Sequence, residues 1–311
     1  MLTQNNVSAQ IARLISKNAS FLPHNGLSGK LGMCVFLYKH GRASRKNHYS
    51  SLAFDLLDYS INKELLLNIS KSDISFITGV SGIGVFMMHL VNEKYVDTEI
   101  EEILEIIDKR VYSEIEYLTR TSEPSLLTNL FSVLSYLIFR RAGSLFDREY
   151  DKLLNEEAVL VSKIAILNLI GLEGNLKKLN LFSLIVKDLY RFGADPYFTD
   201  IEKQLTEKIC LAADQKKRSP KYLSKLEFKI YNSLEKNQLL NENKRQKILS
   251  EILLNQSDLL QTFRNLVLLG LEVLNEQSAA MNLFWNFSHL DFLERHSEKK
   301  IGTYLSGKEF K

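Results

Sequence analysis

Proline is scarce in this 311-residue chain, with four residues, Pro23, Pro124, Pro196 and Pro220, spaced far apart. Long stretches are therefore free to be helical, because little interrupts backbone hydrogen bonding. Cysteine is scarcer still: Cys34 and Cys210 are the only two. That excludes a disulfide framework and fits reduced thiols in a cytoplasmic protein. Charge of one sign is also lacking, since 40 basic residues face 37 acidic ones for a net charge of +3. Bulk electrostatics thus offers no basis for nucleic-acid binding. The longest apolar runs, such as 130–139, are too short and interrupted to span a bilayer, so no membrane span is expected. Residues 1–21 show no basic start followed by an apolar stretch, so no signal peptide is expected either.

What is present is helical periodicity. Ile100, Ile103, Leu104, Ile107, Val111, Ile115 and Leu118 form one stripe, with Glu101, Glu102, Glu105, Asp108 and Lys109 on the other face. This predicts an amphipathic helix over 99–118 whose acidic run is a solvated side. Residues 51–61 and 241–254 read the same way, and no segment alternates as a strand does.

A glycine-rich phrase occurs twice near the start. Gly26-Leu27-Ser28-Gly29-Lys30-Leu31-Gly32 leads into Met33-Cys34-Val35-Phe36, and Gly79-Val80-Ser81-Gly82-Ile83-Gly84 leads into Val85-Phe86-Met87. The copies lie 53 residues apart. Weaker echoes follow: Leu130-Phe131-Ser132 recurs 51 residues on as Leu181-Phe182-Ser183, and Leu283-Phe284 lies a further 102 on. A fifth element is expected near Leu226-Glu227-Phe228. The period predicts six helical hairpins of about 50 residues each. Segments 131–139 and 266–273 are apolar on nearly all sides while 99–118 is two-sided, which favours inner and outer helix rings: an all-α, single-domain α/α toroid over 1–311.

Glycines at the entry of inner helices permit positive φ in the preceding turn and close backbone approach. The same phrases offer helix N-termini to an anion or a peptide, which makes Gly26, Gly29, Gly32, Gly79, Gly82 and Gly84, with His24 beside the first phrase, candidate binding residues.

The two phrases resemble the repeat signature of the LanC-like proteins, the lanthionine synthetase C family. Membership implies six inner and six outer helices. Catalytic members close thioether rings in ribosomally made peptides, using a zinc ion held by two cysteines and one histidine in a Trp-Cys-x-Gly and a Cys-His-Gly phrase. This chain has no cysteine after Cys210, and its last repeat reads Asn282-Leu283-Phe284-Trp285-Asn286-Phe287-Ser288-His289. Cys34, between Met33 and Val35, reads as a core residue, and two thiols without a placed third ligand make a poor zinc site. The resemblance therefore implies a member without a metal or other cofactor. It would bind a peptide substrate, or scaffold a peptide-modifying enzyme, within a peptide-modification pathway.

Other chemistry has thinner support. Gly302 to Lys308 is a near miss to a phosphate loop without a preceding strand or a closing Ser/Thr. Asp55 and Asp58 have the spacing of a one-sided carboxylate pair but sit on an amphipathic surface helix. His289 and Asp291 fall where a toroid would line its central funnel. They leave open an enzyme of another class, a toroid hydrolase acting on carbohydrate or peptide through carboxylates or histidine. An interaction module unrelated to peptide cyclisation also stays open.

Overall fold

The computed structural model describes residues 4–18, 26–61, 73–97, 99–121, 123–142, 149–172, 175–192, 203–208, 211, 242–254, 259–274 and 278–305. Among these there is no strand. The α-helices are α1 Gln4–Asn18, α2 Lys30–Ser44, α3 Asn47–Ser60, α4 Val80–Asn92, α5 Glu101–Arg120, α6 Leu127–Ala142, α7 Glu149–Ile170, α8 Leu176–Phe192, α9 Glu242–Leu254, α10 Leu259–Val273 and α11 Ala279–Leu305. The 99–118 periodicity thus becomes α5, displaced by two residues, with Leu104, Ile107, Val111, Ile115 and Leu118 buried. Asp55 and Asp58 are exposed on α3, as surface charge. His24, Cys210 and the expected fifth element near Leu226 lie outside the described residues.

The chain forms two compact units. The first comprises Met1–Ile74, Thr78–Arg110 and Ser219–Ser278; the second comprises Ser75–Ile77, Val111–Arg218 and Ala279–Lys311. The division falls within α5.

In the first unit α2 is the central element. Every residue from Lys30 to Gly41 is buried, against α3, α1, α10 and α4. A helix apolar on nearly all sides has no solvent face to offer, which is why its periodicity is weak. The link from α2 to α3 is tight: Arg45 is left-handed at φ 55°, and the Lys46 N–H donates to Gly41 O at 3.0 Å. At the ends of α2 and α4, the Arg42 guanidinium lies 4.0 Å from the Tyr95 ring and donates to the carbonyls of Glu93 and Lys94 at 3.2 and 3.1 Å. Orphan carbonyls at a helix end are satisfied this way without a glycine.

His40 lies in this packing, 3% exposed, stacked on Phe36 at 5.8 Å and edge-on to Tyr49 at 4.8 Å. Burial, helped by the nearby charges of Lys46 and His48, lowers its pKa to about 4. A histidine depressed from about 6.5 in the unfolded chain binds its proton more weakly when folded. Its contribution is complete above pH 6.5 and is lost as the pH falls from there towards 4. Acidification across that window is expected to cost the first unit on the order of 2 kcal/mol. His40→Phe, which keeps the ring stack, is expected to flatten the dependence. Urea melts at pH 7 and pH 4.5 on both proteins check this, and equal pH slopes would rule it out.

In the second unit α6 packs on α7 and α8, and α8 packs on α11. Phe131 stacks on Phe182 at 4.4 Å and 9°, and Phe139 on Phe192 at 3.8 Å and 11°. The ring pairs come in the same order along both helices, so α6 and α8 run parallel, and the 51-residue echo joins residues that touch. Leu283-Phe284 does not repeat that relation. Asp188, late in α8, meets Asn286, early in α11, while Lys178 at the start of α8 meets Glu294 further along. Helix α11 is therefore antiparallel to α8. The segment 75–77 is held by the Phe76 N–H donating to Ser132 Oγ at 3.0 Å, and by Phe76 stacking on Phe287 at 4.4 Å.

Candidate functional site

The glycine phrases enter α2 and α4, but in different registers. Gly29 precedes the first residue of α2, Lys30, whereas Gly79, the counterpart of Gly26, precedes the first residue of α4, Val80. Gly82 and Gly84 therefore lie inside the first turns of α4 rather than in the turn before it. Gly29 and Gly79 have φ −122° and −106°, so a left-handed turn is not what requires glycine at either position. All six glycines are buried.

Close approach does explain Gly32. A Cβ there would lie 2.1 Å from Leu27 O, because the turn over 26–29 folds its own carbonyl back onto the first turn of α2. The N-terminus of α2 is thus covered by the phrase itself. Lys30 is 6% exposed and places Nζ 3.5 Å from the Tyr59 ring centroid; burial lowers its pKa. A cation at a helix N-terminus opposes the macrodipole, and the ring face offsets part of that cost.

Cys34 is fully buried in α2, and burial pushes its thiol pKa well above the usual value. A thiol in that setting stays protonated near neutral pH and is a poor nucleophile or metal ligand. Among the described residues no three His, Cys, Asp or Glu side chains are grouped so as to hold a metal ion.

His289 and Asp291 are both half-buried on α11. Two positions apart on a helix they are turned roughly 200° from each other, so they do not form a pair on one face. Instead His289 shares a face with Asn286 and Asn282, one and two turns back. This polar stripe meets α8, where Asp188 Oδ2 accepts from Asn286 Nδ2 at 3.1 Å and Asn282 is a second hydrogen-bond partner. Burial raises the Asp188 pKa to about 6, against the opposing effects of Arg191 and the two asparagines. At the other end, Glu294 Oε1 accepts from Thr128 Oγ1 at 2.6 Å and pairs with Lys178 Nζ at 3.2 Å. Burial, with a smaller effect from Lys177, lowers His289 to about 4. The seam of α8 and α11 therefore holds a carboxyl raised to about 6 and an imidazole lowered to about 4.

The chain matches no protein-family model, no curated protein and no solved structure.

Proposed function

We propose that the chain is a divergent LanC-like protein, an α/α toroid of helical hairpins, that serves a ribosomal-peptide modification pathway in the cytoplasm. It works as a peptide-binding or scaffolding partner, without zinc-dependent thioether cyclisation. The observation that carries the reading is the state of Cys34. The first glycine phrase leads into α2, and the thiol it delivers there is sealed in the core with a raised pKa. No cysteine follows Cys210, so the late repeats supply no thiolate ligand. The parallel pairing of α6 and α8 at the repeat spacing supports the hairpin array.

Purified protein is expected to carry substoichiometric zinc by elemental analysis, and added zinc is expected to leave its thermal midpoint unchanged. A labelled Cys-containing precursor peptide is expected to bind without gaining a thioether ring, as read by anisotropy and mass spectrometry. Stoichiometric zinc together with ring closure would overturn the proposal.

A hydrolase has one observation in its favour, the raised pKa of Asp188, which suits a general acid. The other carboxylate of the seam, Glu294, stands eight residues beyond Asn286, roughly 12 Å along the helix. Paired-carboxylate hydrolysis uses separations of about 5–9.5 Å. The partner reading therefore has the stronger physical support.

A further inference from the structure

No Asp or Glu occurs before Asp55, while seven Lys and Arg do, so charge along α1, α2 and the start of α3 is of one sign. Four cations meet at one corner of the first unit. Arg42 lies in the last turn of α2, Arg45 and Lys46 form the link to α3, and Lys94 follows α4. The hydrogen bonds from Arg42 to the carbonyls of Glu93 and Lys94 bring the two helix ends together. All four side chains are exposed, and none pairs with a carboxylate among the described residues. The acids nearest in the chain, Glu93, Asp97 and Glu99, lie within five residues of Lys94, and none stands on the α2–α3 link.

Helix-end physics accounts for Arg42. A cation in the last turn complements the macrodipole, and this one also satisfies carbonyls. The other three stand where the backbone favours a different residue. Arg45 and Lys94 are the two non-glycine residues with positive φ among the described residues, each at 55°. Glycine or asparagine occupies that region at least cost, which offsets what the dipole returns to a cation there. Lys46 is the N-cap of α3, where Ser, Thr, Asp or Asn would bond the open amides. Its side chain makes no cap bond, no acid follows in the first turn, and the helix dipole opposes its charge. Three departures from local preference, each in favour of a cation, thus fall at one corner. Local rules broken together in this way are expected at functional surfaces.

The surroundings select the class of anion. Basic residues that hold a lipid surface have apolar side chains beside them, and no large hydrophobic side chain is exposed over 39–48 or 91–97. A nucleic-acid strand uses free aromatic faces, but the Tyr95 ring is covered by Arg42 at 4.0 Å and Tyr49 is buried. Carboxylates need neither, since exposed guanidinium and ammonium groups pair with them directly. Neighbouring helix ends about 10 Å apart are spanned by about three extended residues, so a short run of Asp or Glu bridges the corner.

We propose that the corner formed by the α2–α3 link and the end of α4 docks an acidic segment of a partner polypeptide. This rests on the peptide-binding reading above and gives it a surface and a chemistry.

The probe is a labelled peptide of about eight residues, half Glu and half Gly, beside the same peptide with Gln in place of Glu. Binding to the full chain is read by fluorescence anisotropy at low salt, where exposed charges are least screened. The Glu peptide is expected to bind, to weaken as salt rises, and to bind at least about tenfold more tightly than the Gln peptide. The double variant Arg45→Gly with Lys94→Gly is expected to weaken the Glu peptide about fivefold, and Lys46→Ser, independently, about twofold. Each change installs a residue that its backbone position favours, so the urea midpoints of both variants are expected to equal or exceed that of wild type. Equal binding of the two peptides, or variants that bind the Glu peptide as wild type does, overturns the proposal. Lower midpoints would show that the cations serve the fold, and overturn it as well. So does tighter binding of a single-stranded oligonucleotide or of phosphatidylserine-containing vesicles, which would reassign the corner. Precursor peptide that binds wild type and both variants alike leaves the peptide-binding reading standing while removing this surface from it.

Discussion

Gly32→Ala is expected to destabilise the first unit by about 3 kcal/mol or more, enough to leave a large fraction unfolded if the protein has ordinary stability. The added Cβ would lie 2.1 Å from Leu27 O and 3.1 Å from Leu27 C. Both are backbone atoms, so no rotamer change relieves the clash. The turn over 26–29 would have to open, and it packs with α2, buried from Lys30 to Gly41. Helix propensity acts the other way, since alanine is favoured over glycine by about 1 kcal/mol within a helix, but a backbone clash of this size outweighs it. Gly171→Ala is the matched control: nothing lies within 4 Å of its added Cβ, and a change of a few tenths of a kcal/mol is expected. Urea melts and hydrogen exchange over 26–44 read the difference. A Gly32→Ala protein as stable as wild type would mean that the turn over 26–29 yields to the added Cβ at little cost.

This glycine shows how far the sequence could be read. The phrases are visible as turn-into-helix signals because glycine clusters are local. The registers of α2 and α4 are not visible: they begin four and one residues after equivalent glycines, a choice made by packing around each start. The amphipathic 99–118 segment gives α5 within two residues, since one buried stripe fixes a helix without reference to its partners. Stacking of Phe131 on Phe182 follows the repeat spacing, whereas the reversed direction of α11 leaves no trace in Leu283-Phe284. At the seam, Asn282, Asn286 and His289 recur at helical spacing in an apolar segment, a signal that the pairing of His289 with Asp291 passed over. Asp188 was not: an aspartate between Lys187 and Leu189 looks like surface charge until α11 is laid over it. His289 and Asp291 are close in sequence, and helical geometry alone turns them apart.

Gly270→Ala poses the same contest with a side chain as the obstacle. The added Cβ would lie 2.4 Å from Phe36 Cε2 and 2.7 Å from Cδ2. The ring is fully buried and stacked on His40, so it cannot swing aside freely. Overpacking of this kind costs about 1–3 kcal/mol, while the helical preference for alanine returns about 1 kcal/mol. The net expectation is destabilisation of about 1–2 kcal/mol. Phe36→Leu alone is expected to cost a similar amount through lost contact with α10 and His40. Combined, the two changes should cost less than their sum by at least about 1 kcal/mol, because leucine withdraws the ring atoms that the new methyl would strike. A double-mutant cycle by denaturant melts measures that coupling. Strict additivity would show that α2 and α10 do not meet through Phe36 and Gly270. A more stable Gly270→Ala protein would show that propensity outweighs packing, with the ring free to yield. The cycle therefore tests both the contact that places α10 against the central helix and the rigidity of the packing around His40, on which the expected acid lability of the first unit depends.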